Sequence, residues 1–94
     1  MASLQNVLET ANKKFGKGEY AEAYAEYLTA LLEISPEDKE NCAAIHTNAG
    51  ACLLNMARVD EALAEYQTAL ELDPANLNAH HNKGLCLTVE TLSV

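Results

Sequence analysis

Residues 59–74 read VDEALAEYQTALELDP, and this stretch decides the fold. It contains no glycine, and its one proline, Pro74, stands at the end, where it stops a helix. Most of its residues are strong helix formers. Leu63, Tyr66 and Leu70, with Ala62, Ala69 and Leu72 one step away, make a broad apolar stripe at helical spacing. Asp60, Glu61, Glu65 and Glu71 fall largely off that stripe. Residues 20–36, YAEAYAEYLTALLEISP, repeat the pattern: Ala23, Tyr27 and Ala30 return as Ala62, Tyr66 and Ala69, each 39 residues later. A fixed offset of this kind marks an internal repeat.

The flanking segments repeat as well. His46, Asn48, Gly50, Cys52 and Leu53 return as His80, Asn82, Gly84, Cys86 and Leu87, each 34 residues later. The periodicity predicts five helices, at about 3–15, 19–34, 36–56, 59–74 and 76–91. In the first, Ser3 is the expected N-cap, and Leu4, Val7, Leu8, Ala11 and Phe15 form the apolar face. Lys13, Lys14 and Lys17 suit the negative end of its dipole, and Gly16 and Gly18 mark the turn. Ser35 and Asp38 around Pro36 read as a capping box opening the third helix. Ala57-Arg58 takes the place of Gly18-Glu19 in the next turn, a weaker turn signal. The chain therefore reads as alternating A and B helices, A1-B1-A2-B2-A3. The single domain spans 1–94, with repeat 1 at about 4–36, repeat 2 at about 37–74 and a partial repeat 3 at about 75–94. The other reading of the same composition is a generic helical bundle.

A 34-residue helix pair with these residues resembles the tetratricopeptide repeat (TPR). The family's small residue in helix A, its Ala-x-x-x-Phe/Tyr, second Ala and closing Pro correspond to Gly50, Ala62, Tyr66, Ala69 and Pro74. In the first repeat they correspond to Ala11, Ala23, Tyr27, Ala30 and Pro36, with the proline one residue late. The resemblance implies an all-α, TPR-like solenoid of antiparallel helix pairs, about two and a half repeats long. Small residues at 50, 62 and 69 let the helices approach, and the tyrosine fills the space beside them. The first repeat is five residues longer than 34, mostly through an early start of A2, which is similar to repeats in some co-chaperones.

The family implies a function too: a protein-interaction module that holds a peptide in the concave groove lined by A helices, as co-chaperone adaptors do. Its register puts Leu8, Asn12 and Phe15 in that groove from A1. From A2 it puts Ala44, Thr47, Asn48, Ala51, Leu54 and Asn55 there, and from A3 Asn78, His81, Asn82, Leu85 and Thr88. Five of these are asparagines, whose amides both donate to and accept from a peptide backbone. The subgroup that grips the C-terminal carboxylate of heat-shock chaperones uses five clamp positions, which map to Leu8, Asn12, Asn48, Asn78 and Asn82. Three of the five are basic there and none is basic here, while Asn12 and Asn48 keep the family residue. Without charge-assisted hydrogen bonds a chaperone tail is held weakly. Lys13 and Lys83 are near, but about one residue, roughly 100°, off the required helical direction.

Composition narrows the remaining classes. With 14 Asp plus Glu against 6 Lys plus Arg, the net charge of −8 disfavours nucleic acid and anionic membranes as partners. No apolar run reaches a membrane span, and residues 1–12 do not read as a signal peptide. Three cysteines without a paired framework fit a reducing compartment, so a cytoplasmic location is expected. His46, His80 and His81 with Cys42, Cys52 and Cys86 lack metal-ligand spacing, so no metal or cofactor is expected. His46 and His80 read as histidines at the core edge, Cys52 and Cys86 as small buried hydrophobes, and Cys42 as exposed. No constellation supports catalysis. Leu85, Leu87, Val89, Leu92 and Val94 on A3 have no B3 to cover them, which raises a second reading: self-association, as a homodimer or by helix swapping.

Overall fold

A computed structural model describes residues 3–92, with side chains through residue 89. It shows five helices: α1 (Leu4–Gly16), α2 (Tyr20–Glu33), α3 (Lys39–Asn55), α4 (Val59–Leu72) and α5 (Leu77–Leu92). Each helix packs on its chain neighbours, and α3 also touches α5. The thin dimension of 16 Å fits two helix layers. The inner layer is α1, α3 and α5, and the outer layer is α2 and α4. Among the described residues no helix is long and apolar enough to cross a membrane.

The alanines of the repeat explain how closely the layers sit. Ala11, Ala23, Ala30, Ala62 and Ala69 are fully buried. At Gly50 an added Cβ would lie 2.6 Å from the Tyr66 ring, so this crossing of α3 and α4 accepts only glycine without movement. Gly84 holds the corresponding place on α5, but a Cβ there would meet nothing within 4 Å. Among the described residues no later helix presses on that face. The same difference puts Leu53 in the core and leaves Leu87 about half exposed.

Two turns differ from expectation. The segment after α2 is not a capping box. Asp38 N–H donates to the Ser35 carbonyl at 3.0 Å, closing a turn over Pro36 and Glu37. Asp38 then caps α3 itself, accepting from Asn41 N–H. The helix therefore starts at Lys39, three residues after the expected Pro36, because Pro36 is used in the turn. It still begins one turn earlier than α1 and α5, whose first residues, Leu4 and Leu77, correspond in register to Ala43. That extra turn tucks Cys42 under the end of α2. Cys42 is buried, not exposed, with its thiol 3.5 Å from the Ser35 carbonyl. At the second turn Ala57 takes the left-handed conformation, φ 62°, that Gly18 takes at φ 79° one repeat earlier. The chain reverses the same way at both, but only glycine does so without a steric cost.

Candidate functional site

The inner layer carries a cleft of about 340 Å³ between α1 and α3. On α1, Val7 and Ala11 turn into the core. Leu4, Leu8 and Asn12, at four-residue spacing, face the cleft instead. On α3, Asn41, Ala44, Ile45 and Asn48 share one face and form the opposite wall, with Ile34 below. The result is an apolar floor edged by three asparagines. Among the described residues Asp38 is the only ionisable one in the lining. It is engaged already, because its carboxylate accepts the Asn41 side-chain amide at 2.8 Å.

Asn12 is oriented from behind. The Tyr27 hydroxyl of α2 donates to its Oδ1. Tyr27 is 2% exposed, and burial, with Cys52 nearby, pushes its pKa up to about 12, so the proton stays on the hydroxyl. With its oxygen occupied, Asn12 presents its two amide donors. Asn48 is exposed, and its side-chain amide makes no hydrogen bond among the described residues.

Four expected groove residues therefore meet in one cleft: Leu8, Asn12, Ala44 and Asn48. Others lie elsewhere. Thr47 is 3% exposed and donates its hydroxyl to the Ala43 carbonyl of its own helix at 2.8 Å. It is a core residue, since α3 is covered by α2, α4 and α5 together. Phe15 packs edge-on against Tyr20, ring centroids 5.2 Å apart, and secures the first turn. Leu54 packs against the core formed by Leu53, Ala62, Tyr66 and Cys86, and the Asn55 amide donates to the Ala51 carbonyl at 2.8 Å. Ala51 is half-buried, while Asn78, His81, Asn82, Leu85 and Thr88 belong to α5 and do not line this cleft. The Thr88 hydroxyl bonds the Gly84 carbonyl of its own helix. Asp38 and Asn41 were missed because the start of A2 reads as a polar helix cap. Asn41 precedes Asn48 by seven residues on one face, a signal that was there to be used.

The histidines and cysteines hold no cluster. His46 Nδ1 lies 2.7 Å from a Glu65 oxygen, half-buried between α3 and α4. His80 is exposed, its Nε2 2.8 Å from the Pro74 carbonyl. Among the described residues no three His, Cys, Asp or Glu side chains converge as metal ligands. Leu85, Leu87 and Val89 are 43%, 47% and 39% exposed on α5, the side chain of Leu92 is not described, and Val94 lies outside the described residues.

Comparison with known proteins matches residues 58–87 to the family model "TPR repeat". The chain belongs to the tetratricopeptide-repeat family. Such TPR domains are protein-interaction modules. The DnaJ homolog subfamily C member 7 homolog of Schizosaccharomyces pombe is 36% identical over 74 residues. Those residues make up 79% of this chain but 15% of that protein. The TPR repeat-containing thioredoxin TTL4 of Arabidopsis thaliana is 35% identical over 80 residues, 85% of this chain and 11% of that one. The chain thus spans under a fifth of the curated relatives it matches. Among solved structures, the first TPR of Spaghetti (RPAP3), bound to the HSP90 peptide SRMEEVD, matches with a TM-score of 0.50. It is 19% identical, with 95% of this chain and 94% of that one covered, a likeness of fold.

Proposed function

We infer that this TPR domain is an adaptor that receives an extended peptide segment of a protein partner in the cleft between α1 and α3. One observation carries the reading: the apolar floor at Leu8 and Ile45 lies beside Asn12, whose amide donors are aimed outward by Tyr27, and the unengaged Asn48. Apolar side chains would enter the floor while the amides bond the peptide backbone. The likeness to DnaJ-type relatives and to a TPR solved with an HSP90 peptide supports a co-chaperone setting. Among the described residues the lining holds no base to pair with a terminal carboxylate. The fitting ligand is an internal or neutral segment.

The test is titration with SRMEEVD as free acid and as C-terminal amide, followed by selection of peptides from a displayed library. Weak binding with no preference for the free acid is expected. Selected peptides should lose about tenfold or more in affinity with Asn48→Ala, about 1.4 kcal/mol. Tight binding of the free acid that amidation abolishes would overturn the internal-segment reading. Selected peptides indifferent to both Asn48→Ala and Asn12→Ala would overturn the cleft assignment. A second reading, self-association through α5, rests on the exposure of Leu85, Leu87 and Val89. A monomer mass by light scattering at every concentration would end it.

A further inference from the structure

The outer layer contains a second cleft, which shares only Ile34 with the peptide groove. α2 and α4 both rest on α3, and Tyr24 of α2 packs toward α4. Between their C-terminal ends lies a largely apolar space of about 510 Å³. Leu32 and Ile34 stand on one side of it, Leu72 on the other, and Cys42 and His46 of α3 form the floor. Leu32 is 86% exposed at the rim, the most exposed large apolar side chain among the described residues.

The charged residues that neighbour the lining in sequence are mostly acidic. A helix ends on carbonyls that carry about half a negative charge. Two helices end here, and neither α2 nor α4 has a basic residue in its last turn. Glu33 closes α2, Glu71 stands in the last turn of α4, and Glu37 follows in the turn, all three exposed. The floor histidine is paired with Glu65. One base, Lys39, stands in the first turn of α3, and like the three glutamates it neighbours the lining without joining it. Acidic side chains at helix C-termini act slightly against folding, and both helices carry one at the end that flanks this space.

We propose that the outer cleft between the C-terminal ends of α2 and α4 docks a basic amphipathic segment of a protein partner. Its apolar side chains enter beside Leu32 and Leu72. Its lysines or arginines meet Glu33, Glu71 and the carbonyl ends of both helices. An amphipathic helix with apolar residues at three- and four-residue spacing supplies both on adjacent faces.

The test uses an amidated probe peptide of alternating Leu-Leu and Lys-Lys pairs, titrated into the isotope-labelled full chain and followed by amide chemical shifts. The control replaces every lysine by glutamate. Saturable binding of the lysine peptide is expected, with shifts centred on Leu32, Cys42 and Leu72. Leu32→Ser, and separately Glu33→Lys with Glu71→Lys, should each weaken it by about tenfold or more. These side chains are exposed, so the variants should keep the parent circular dichroism. Asn48→Ala should leave this binding unchanged, which separates a failure here from a failure of the peptide groove. Equal binding of the glutamate peptide, absence of saturation, or shifts centred on Leu8, Asn12 and Asn48 would overturn the proposal.

Discussion

Tyr66→Phe should stabilise the domain, and Tyr27→Phe should destabilise it, although the two tyrosines hold the same position in successive repeats. Tyr27 donates to Asn12. Its equivalent, Tyr66, is fully buried, and its hydroxyl has no hydrogen-bond partner among the described residues. The register explains the difference, since 39 residues after Asn12 stands Ala51, which offers no acceptor. A buried hydroxyl left unsatisfied costs about 1–3 kcal/mol, and a satisfied one contributes about 1 kcal/mol. Removing the Tyr66 oxygen leaves the ring against Gly50 and loses only a few contacts, so a gain of about 1 kcal/mol is expected. Removing the Tyr27 oxygen should cost about the same. For a domain of this size each kcal/mol moves the midpoint by about 4–8 °C. The assay is urea and thermal unfolding followed by circular dichroism on both variants. A third variant, Ala51→Asn, should stabilise the parent but not the Tyr66→Phe background, a coupling of about 1 kcal/mol. If Tyr66→Phe loses as much stability as Tyr27→Phe, the hydroxyl is satisfied and the reasoning fails.

Other consequences are open to the same measurements. Ala57→Gly should gain about 0.5–1 kcal/mol, the left-handed strain relieved less the entropy of the added glycine, and an unchanged urea midpoint would show that Ala57 is not strained. Gly50→Ala should lose about 1–3 kcal/mol, because its methyl meets the Tyr66 ring at 2.6 Å, whereas Gly84→Ala should be neutral or stabilising. Stability should fall in alkali. Burial raises the Cys52 thiol from 9.0 to about 11 and Tyr27 from 10.0 to about 12. Above pH 9 the unfolded chain releases protons that the folded chain retains, so the stabilisation is complete below pH 9 and drains away between pH 9 and 12. A urea midpoint that stays level from pH 8 to 11 would contradict this.

The fold was legible because its signals are local. Two offsets, 39 and 34, and the Ala-Tyr-Ala pattern located five helices to within a few residues, and only the start of α3 moved. The candidate site was legible in part. Leu8, Asn12, Ala44 and Asn48 meet as expected, since a groove-facing position on an A helix is a matter of register. Thr47 and Phe15 did not follow, because a neighbouring element claims each: covering helices bury Thr47, and Tyr20 engages Phe15. Asp38 and Asn41 entered the cleft because Pro36 was taken up by the turn.

Helix periodicity depends on residues three and four apart, so the sequence by itself determined the helices, the repeat and the family to which they belong. Which side of a helix is covered depends on residues distant in the chain. Tertiary structure alone therefore decided that Tyr27 aims Asn12 while the Tyr66 hydroxyl has no partner among the described residues, that Ala57 adopts a glycine conformation, and that two helix ends flank one apolar cleft.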